Sequence, residues 1–190
     1  MGYVIGYALC ASYCTFEKSL AEMRKLADSG YEIVPIMSEN AYNFDTRFGT
    51  ANSIRDDIKS ICGKDINSTI RDAEPLGPAV KLDAMVVSPC TGNTLAKLAQ
   101  GITDTPVTMA VKAHMRNDRP VVIALSSNDS LSVNLKNIGV LLERKNMYFV
   151  PFGQDDPINK PHSLSADFTQ LGDTLTAAID KRQIQPLLVR

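Results

Sequence analysis

Small hydroxyl-bearing residues gather at a few points of this sequence, each directly after a short apolar run. Ala11-Ser12 follows the run Tyr3 to Leu9, Ser38 follows Tyr31 to Met37, and Pro89-Cys90-Thr91-Gly92-Asn93-Thr94 follows Ala84 to Val87. Such residues just ahead of a helix suit a phosphate, because the unpaired N–H groups of a helix's first turn and the positive end of its dipole act on the same anion. One Ser or Thr in this position is ordinarily a helix cap. Three at successive strand ends point to a shared ligand, and the expected ligand class is a nucleotide. Ser126, which closes the run Pro120 to Leu125, is counted with them.

The first turn reads Gly6-x-x-x-Cys10-Ala11-Ser12 rather than Gly-x-Gly-x-x-Gly, and no acidic residue ends the second run, where a ribose hydroxyl needs an acceptor. With the dinucleotide fingerprint absent, a mononucleotide such as FMN fits better. Cys10 and Cys90 have no histidine near them in sequence and read as small core residues. Lys97, together with Lys112 and Arg116, which flank His114 in VKAHMRN, could receive a carboxylate substrate, with Lys112 and Arg116 the leading candidates, although most basic residues on helices simply face water. Asp104, Asp155 and Asp156 are candidates for proton transfer, but Asp104 is better placed as the cap of a helix opening at Pro106.

The elements that must position these residues alternate in type. Tyr3 to Leu9 is too short for a helix and reads as a strand; Thr15 then opens a helix with Phe16, Leu20, Met23 and Ala27 on one face, stopped by Gly30. Tyr31 to Met37 is a second strand, which Pro35 assigns to an edge or a bulge. Residues 38 to 82 hold one clear helix through Ile54, Ile58 and Ile61, and the proline-rich 75–78 segment denies regular structure there. Further strands are expected at Ala84 to Val87, Pro120 to Leu125 and Met147 to Val150, with helices over Thr94 to Gln100, Val107 to Met115, Leu131 to Arg144 and Ser165 to Lys181. Pro151 to Pro161 is an ordered excursion without periodicity, and the closing QIQPLLV packs either on a neighbouring protomer or along the sheet edge. The pattern predicts an α/β fold of three layers, α/β/α, around a mostly parallel, doubly wound sheet of five to six strands, flavodoxin-like or Rossmann-like, in one domain over residues 1–190.

Composition narrows the function classes. The 190 residues are 44% hydrophobic and 22% charged with a net charge of −1, which leaves no basic footprint for nucleic acid or an anionic membrane. Four cysteines without a Cys-x-x-Cys pair and only two histidines offer no zinc-ligand spacing, so no metal is expected. The start of the chain lacks a signal-peptide pattern and no apolar segment approaches bilayer length, so the expectation is a cytoplasmic protein with reduced thiols.

Pro89-Cys90-Thr91-Gly92-Asn93-Thr94-Leu95-Ala96-Lys97, followed by Gly101-Ile102-Thr103-Asp104, resembles the P-x-(S/T)-A-N-T-x-A-K…G-(I/M)-A-(D/N) signature of the homo-oligomeric flavin-containing cysteine decarboxylase superfamily. Within it, Arg47-Phe48-Gly49, Ala73 to Pro78, Met109 to Asp129, Lys145 to Pro161 and Gln183 to Pro186 are similar to the family of dipicolinate synthase B subunits. That resemblance implies FMN, with its phosphate held by Ala11-Ser12, Ser38 and Pro89 to Thr94. It also implies a homo-oligomer and a partner, the A subunit of dipicolinate synthase, which brings the NAD(P)H site. The implied substrate is a cyclic dicarboxylate, oxidised to the pyridine dicarboxylate in the mother cell of a sporulating bacterium. The chain departs from the decarboxylase pattern: residues 66 to 83 hold no histidine, Asp104 stands for an asparagine, 151 to 161 hold no cysteine, and Ser126-Ser127-Asn128-Asp129 replaces Pro-Ala-Met-Asn. The alternatives are a flavin-dependent decarboxylase of cysteinyl substrates and a non-catalytic partner of the A chain.

Overall fold

The computed structural model describes residues 2–189. Its elements are β1 (Val4–Leu9), α1 (Phe16–Asp28), β2 (Glu32–Met37), α2 (Glu39–Asn43), α3 (Ala51–Cys62), α4 (Ile70–Ala73), β3 (Ala84–Cys90), α5 (Gly92–Gln100), α6 (Pro106–Met115), β4 (Val121–Ser127), α7 (Leu135–Leu142), β5 (Met147–Phe149), β6 (Phe152–Gly153), β7 (Leu164–Ala166) and α8 (Leu171–Ile179). The sheet has seven strands, with path β2-β1-β3-β4-β7-β6 and β5 beside the first half of β4. Strands β1 to β5 are parallel, and β7 pairs antiparallel with both the end of β4 and β6.

Helices cover both faces, so the central strands must be apolar on both sides. Ile5, Tyr7 and Leu9 of β1, Ala84 and Val86 of β3, and Val122 and Ala124 of β4 join Leu20, Met23, Ile58 and Leu175 in one core. Their alternates Ala8, Cys10, Met85, Val87, Val121, Ile123 and Leu125 join Leu95, Leu98, Val107, Val111 and Leu141 in the other. The period-2 alternation thus divides each strand between two helix layers. No helix among the described residues is long and apolar enough to cross a membrane.

Pro35 lies on the edge strand β2, whose pairing with β1 runs in register from Glu32 to Met37. Its carbonyl accepts from the Asn67 backbone and side chain at 3.0 Å, so the outer edge is covered by a loop. In the PLGP segment Gly77 has φ +135°, and a Cβ there would fall 2.3 Å from the Ala113 carbonyl oxygen, so only glycine lets this segment lie against α6.

Three expectations need correction. The last helix starts at Leu171 rather than Ser165, because Leu164–Ala166 is drawn into the sheet by pairing with Ser126 and Ser127, adding the two short strands that raise the count to seven. The helix expected over Leu131 to Arg144 is confined to Leu135–Leu142, since residues 129 to 134 form turns held by Asp129. The cap of α6 is Thr105, in a reciprocal arrangement with Thr108, and Asp104 instead pairs with Lys97.

The tail takes the sheet-edge alternative within this chain: Phe152 donates to Leu187 and accepts from Val189, both at 3.0 Å. Ahead of it, the Gln183 side-chain amide accepts from the Phe149 N–H at 2.8 Å and donates to the Phe149 carbonyl at 2.7 Å. A side chain therefore supplies the two bonds that a neighbouring strand would give β5.

Candidate functional site

The carboxyl ends of β1 to β4 meet α1, α2 and α5 at one edge of the sheet. A buried polar chain fixes their relative position. The Tyr7 hydroxyl donates to the Ser19 carbonyl at 2.8 Å, and the Ser19 hydroxyl donates to the Ser88 carbonyl at 2.8 Å, tying α1 to β1 and β3. Burial pushes the Tyr7 phenol far above its ordinary value, so it stays a neutral donor. Near the end of β3 the register against β4 shifts by one residue between Val87 and Cys90. A bulge tolerates a proline within a central strand. The Pro89 carbonyl there accepts from the Cys10 amide at 3.1 Å.

Two adjoining clefts open at this edge and share Ala11 and Thr91. The larger, about 380 Å³, is lined by Ser12, Gly92, Ser126 and Ser127, with Lys18 of α1 and Asp155 and Lys160 of the excursion also lining it. The smaller, about 290 Å³, is lined by Ser38, Asn93, Thr94, Lys97 and Asp104. The turns after β1, β2 and β3 therefore lie side by side, and the turn after β4 joins them: the Ser12 and Ser126 hydroxyls are 2.9 Å apart.

Each turn ends in a helix start. Ser38 caps α2 by accepting from Ala41 N–H at 3.4 Å, and Thr91 caps α5 by accepting from Thr94 N–H at 3.3 Å. As first-turn residues of α5, Gly92 and Asn93 have no intrahelical acceptor for their amides, so this nine-residue helix end offers free N–H groups between the two clefts. Gly92 is a cradle: a Cβ there would sit 2.5 Å from Ser127 Oγ, 2.6 Å from Asp129 Oδ1 and 2.7 Å from Asn134 Nδ2.

Pro89 and Cys90 lie beneath the clefts instead of lining them, and Cys90 is fully buried. Contact with Cys10 and burial push the Cys90 thiol well up, so it stays protonated. Asp104 makes an exposed ion pair with Lys97 at 2.8 Å, which holds its carboxyl below the usual range. Lys112 and Arg116 are elsewhere. The helix α6 starts beside the smaller cleft at Thr105 and ends near the start of β4, and Lys112 faces a separate groove with Met115 and Arg144. Of the three basic candidates only Lys97 reaches a cleft, the smaller one, while Lys18 and Lys160, which line the larger, were not singled out by the sequence.

A family model for flavoproteins matches residues 2–181. The chain belongs to the flavoprotein family. It is 43% identical to the B subunit of dipicolinate synthase from Bacillus subtilis over 188 residues, covering 99% of this chain and 94% of that protein. The crystal structure of the B subunit of dipicolinate synthase from Bacillus halodurans C superposes with a TM-score of 0.92 at 41% identity, covering 100% of this chain and 97% of that one. The FMN-dependent cysteine decarboxylase SpaF, at 22% identity and TM-score 0.65 over 94% of this chain and 97% of that one, shares the fold. This flavoprotein family places the chain among flavin-associated enzymes.

Proposed function

We propose that this chain is the B subunit of a dipicolinate synthase, binding FMN at the paired clefts and taking part in oxidation of a cyclic dihydrodicarboxylate to the aromatic pyridine dicarboxylate. One observation carries the reading: the turns after β1, β2 and β3 line two clefts that share Ala11 and Thr91, in a chain whose whole length matches a B subunit of that enzyme. The residues fit a flavin phosphate, because hydroxyls at Ser12, Ser38 and Thr94 stand beside the uncommitted amides of α5. When bound, the flavin is an acceptor for hydride.

The chain's own residues hold and orient. Thr91 and Asn93 fix the ligand at the wall between the clefts, and the Ser12–Ser126 contact fixes the floor of the larger one. Asp129 accepts from the Ser127 hydroxyl at 2.5 Å and so holds that hydroxyl in place at the wall of the larger cleft. The partner A chain supplies the nicotinamide site in this reading. Cysteinyl decarboxylation is disfavoured because residues 66 to 83 contain no histidine and 151 to 161 no cysteine.

The test is reconstitution: oxidation of the dihydrodicarboxylate is measured with the A chain alone, with the A chain plus this protein, and with the A chain plus the Asn93→Ala variant. Activity in the second mixture and its loss in the third are expected. Full activity from a variant that still binds the A chain refutes a cofactor role for the α5 turn.

A further inference from the structure

The larger cleft has features that flavin binding does not use. Its walls present the hydroxyls of Ser126, Ser163 and Ser165 together with two ammonium groups from elements far apart in sequence, Lys18 and Lys160, and one carboxylate, Asp155. Lys18 makes no ion pair among the described residues. Asp167, whose carboxyl feels the Lys18 charge, is already engaged by Thr169 and Gln170. Lys160 reaches Asp155 only at 3.5 Å, with both groups partly in water. By contrast, Lys97 of the smaller cleft is committed to Asp104 at 2.8 Å. With Asp155 counted against the two ammonium groups, the larger cleft keeps a net positive charge, whereas Lys97 of the smaller one is outnumbered by Glu39 and Asp104.

We propose that the end of the larger cleft lined by Lys18, Lys160, Ser163 and Ser165, beyond the part at Ser12 and Thr91 given to the flavin, is the seat of the dicarboxylate, with Lys18 and Lys160 as its specificity residues, one for each carboxylate. The proposal rests on the reading of the chain as part of a dipicolinate synthase. It assigns the carboxylate contacts to α1 and the excursion, and not to α6. A flavin phosphate is satisfied by neutral amides and hydroxyls at a helix end, whereas a second, small dianion at the same edge needs cations of its own. A volume of about 380 Å³ accommodates a single six-membered ring with two carboxylates. The shared wall at Ala11 and Thr91 sets that ring beside a ligand in the smaller cleft, the adjacency a hydride transfer requires. The excursion has a definite task in this scheme. A hydrogen bond from Lys160 N–H to the Asp156 carbonyl at 2.8 Å, and three from Asn159 to the Asp156 carboxylate, hold it in one conformation that brings Lys160 to the cleft.

Isothermal titration of the purified protein tests this, with pyridine-2,6-dicarboxylate, pyridine-2-carboxylate and inorganic phosphate as ligands and FMN titrated separately. The diacid binds more tightly than the monoacid or phosphate. Lys18→Ala and Lys160→Ala each weaken it by about twofold to fivefold, the range for a solvent-accessible ion pair. Lys160→Arg retains most of the affinity, and FMN binding is unchanged in all three. Both lysines are exposed, so the variants fold, and an unchanged melting temperature verifies it. Diacid affinity untouched by both alanine variants, no diacid binding by protein that retains flavin, or equal binding of the diacid and phosphate overturns the proposal. Loss of FMN binding with the lysine-dependent diacid site intact sinks the flavin reading instead.

Discussion

Gly92 stands where the flavin decarboxylase signature has alanine, and the structure supplies a reason that a single substitution tests. A Cβ at this position lies within 2.7 Å of three polar atoms, Ser127 Oγ, Asp129 Oδ1 and Asn134 Nδ2. Those atoms cannot withdraw independently. Ser127 donates to Asp129 at 2.5 Å, Asn134 donates to the same carboxylate oxygen at 3.0 Å, and Asn137 donates to Asn134 at 2.8 Å. Asn134 and Asn137 are buried, so making room breaks hydrogen bonds that water does not replace. Gly92→Ala is therefore an overpacking change costing about 1–3 kcal/mol, with any helix-propensity gain from alanine well below that. In a chain of this length that lowers the melting temperature by about 2–4 °C per kcal/mol, read by calorimetry. Adding Asp129→Ala, which removes one obstructing atom and frees Ser127 to rotate, recovers part of the loss. The two departures from the signature, glycine in the α5 turn and Ser-Ser-Asn-Asp after β4, are then one coupled change. A Gly92→Ala protein as stable as the parent, or strictly additive costs in the double variant, refutes this.

Burial pushes the His114 imidazole down to about 4 from the ordinary 6.5, and its Nδ1 is buried without a partner while Nε2 meets the Pro120 carbonyl at 3.0 Å. Between these values the unfolded chain binds the proton and the folded one does not, so stability falls by about 3 kcal/mol as pH drops from 6.5 to 4; urea titrations across that window show it, and His114→Gln flattens the slope. Tyr7→Phe leaves the Ser19 carbonyl without its buried donor and costs about 1–2 kcal/mol in urea midpoint measurements. Gln183→Ala removes both bonds to Phe149 and costs about 1–3 kcal/mol, whereas Gln183→Glu keeps the acceptor and loses only the donor; hydrogen exchange at the Phe149 amide separates the two.

Much of the fold was legible because the central strands are buried on both faces and the helices alternate with them, which makes apolar run length and 3.6-residue periodicity reliable signals. Pro35 marked an edge strand for a local reason, its missing N–H. The strands β6 and β7 were not legible: Phe152–Gly153 and Leu164–Ala166 are too short to show a period, and they exist only because β4 leaves Ser126 and Ser127 unpaired beyond the end of β5. At the site, Ser12, Ser38 and Thr94 stood out because small hydroxyl residues follow apolar runs, although the side chain that caps α5 is Thr91 and Ser12 makes no cap bond. Lys18 and Lys160 did not, because an exposed lysine on a helix or in a loop has no sequence mark until the chain folds back to face a cleft. Lys112 and Arg116 drew attention by their proximity to His114 in sequence, yet they are carried to the far end of α6, ten residues long, away from Thr105.

The central claim is that helix-end amides and hydroxyls at this edge grip the phosphate of a flavin. Titration of flavin-free protein with FMN and with riboflavin, which differ only in that phosphate, tests it most directly by flavin fluorescence. Stoichiometric FMN binding is expected, with riboflavin at least about a hundredfold weaker for loss of several charge-assisted hydrogen bonds, and with a narrowing of that ratio in Ser38→Ala and Asn93→Ala. Equal affinity for the two flavins, or binding of neither, contradicts it.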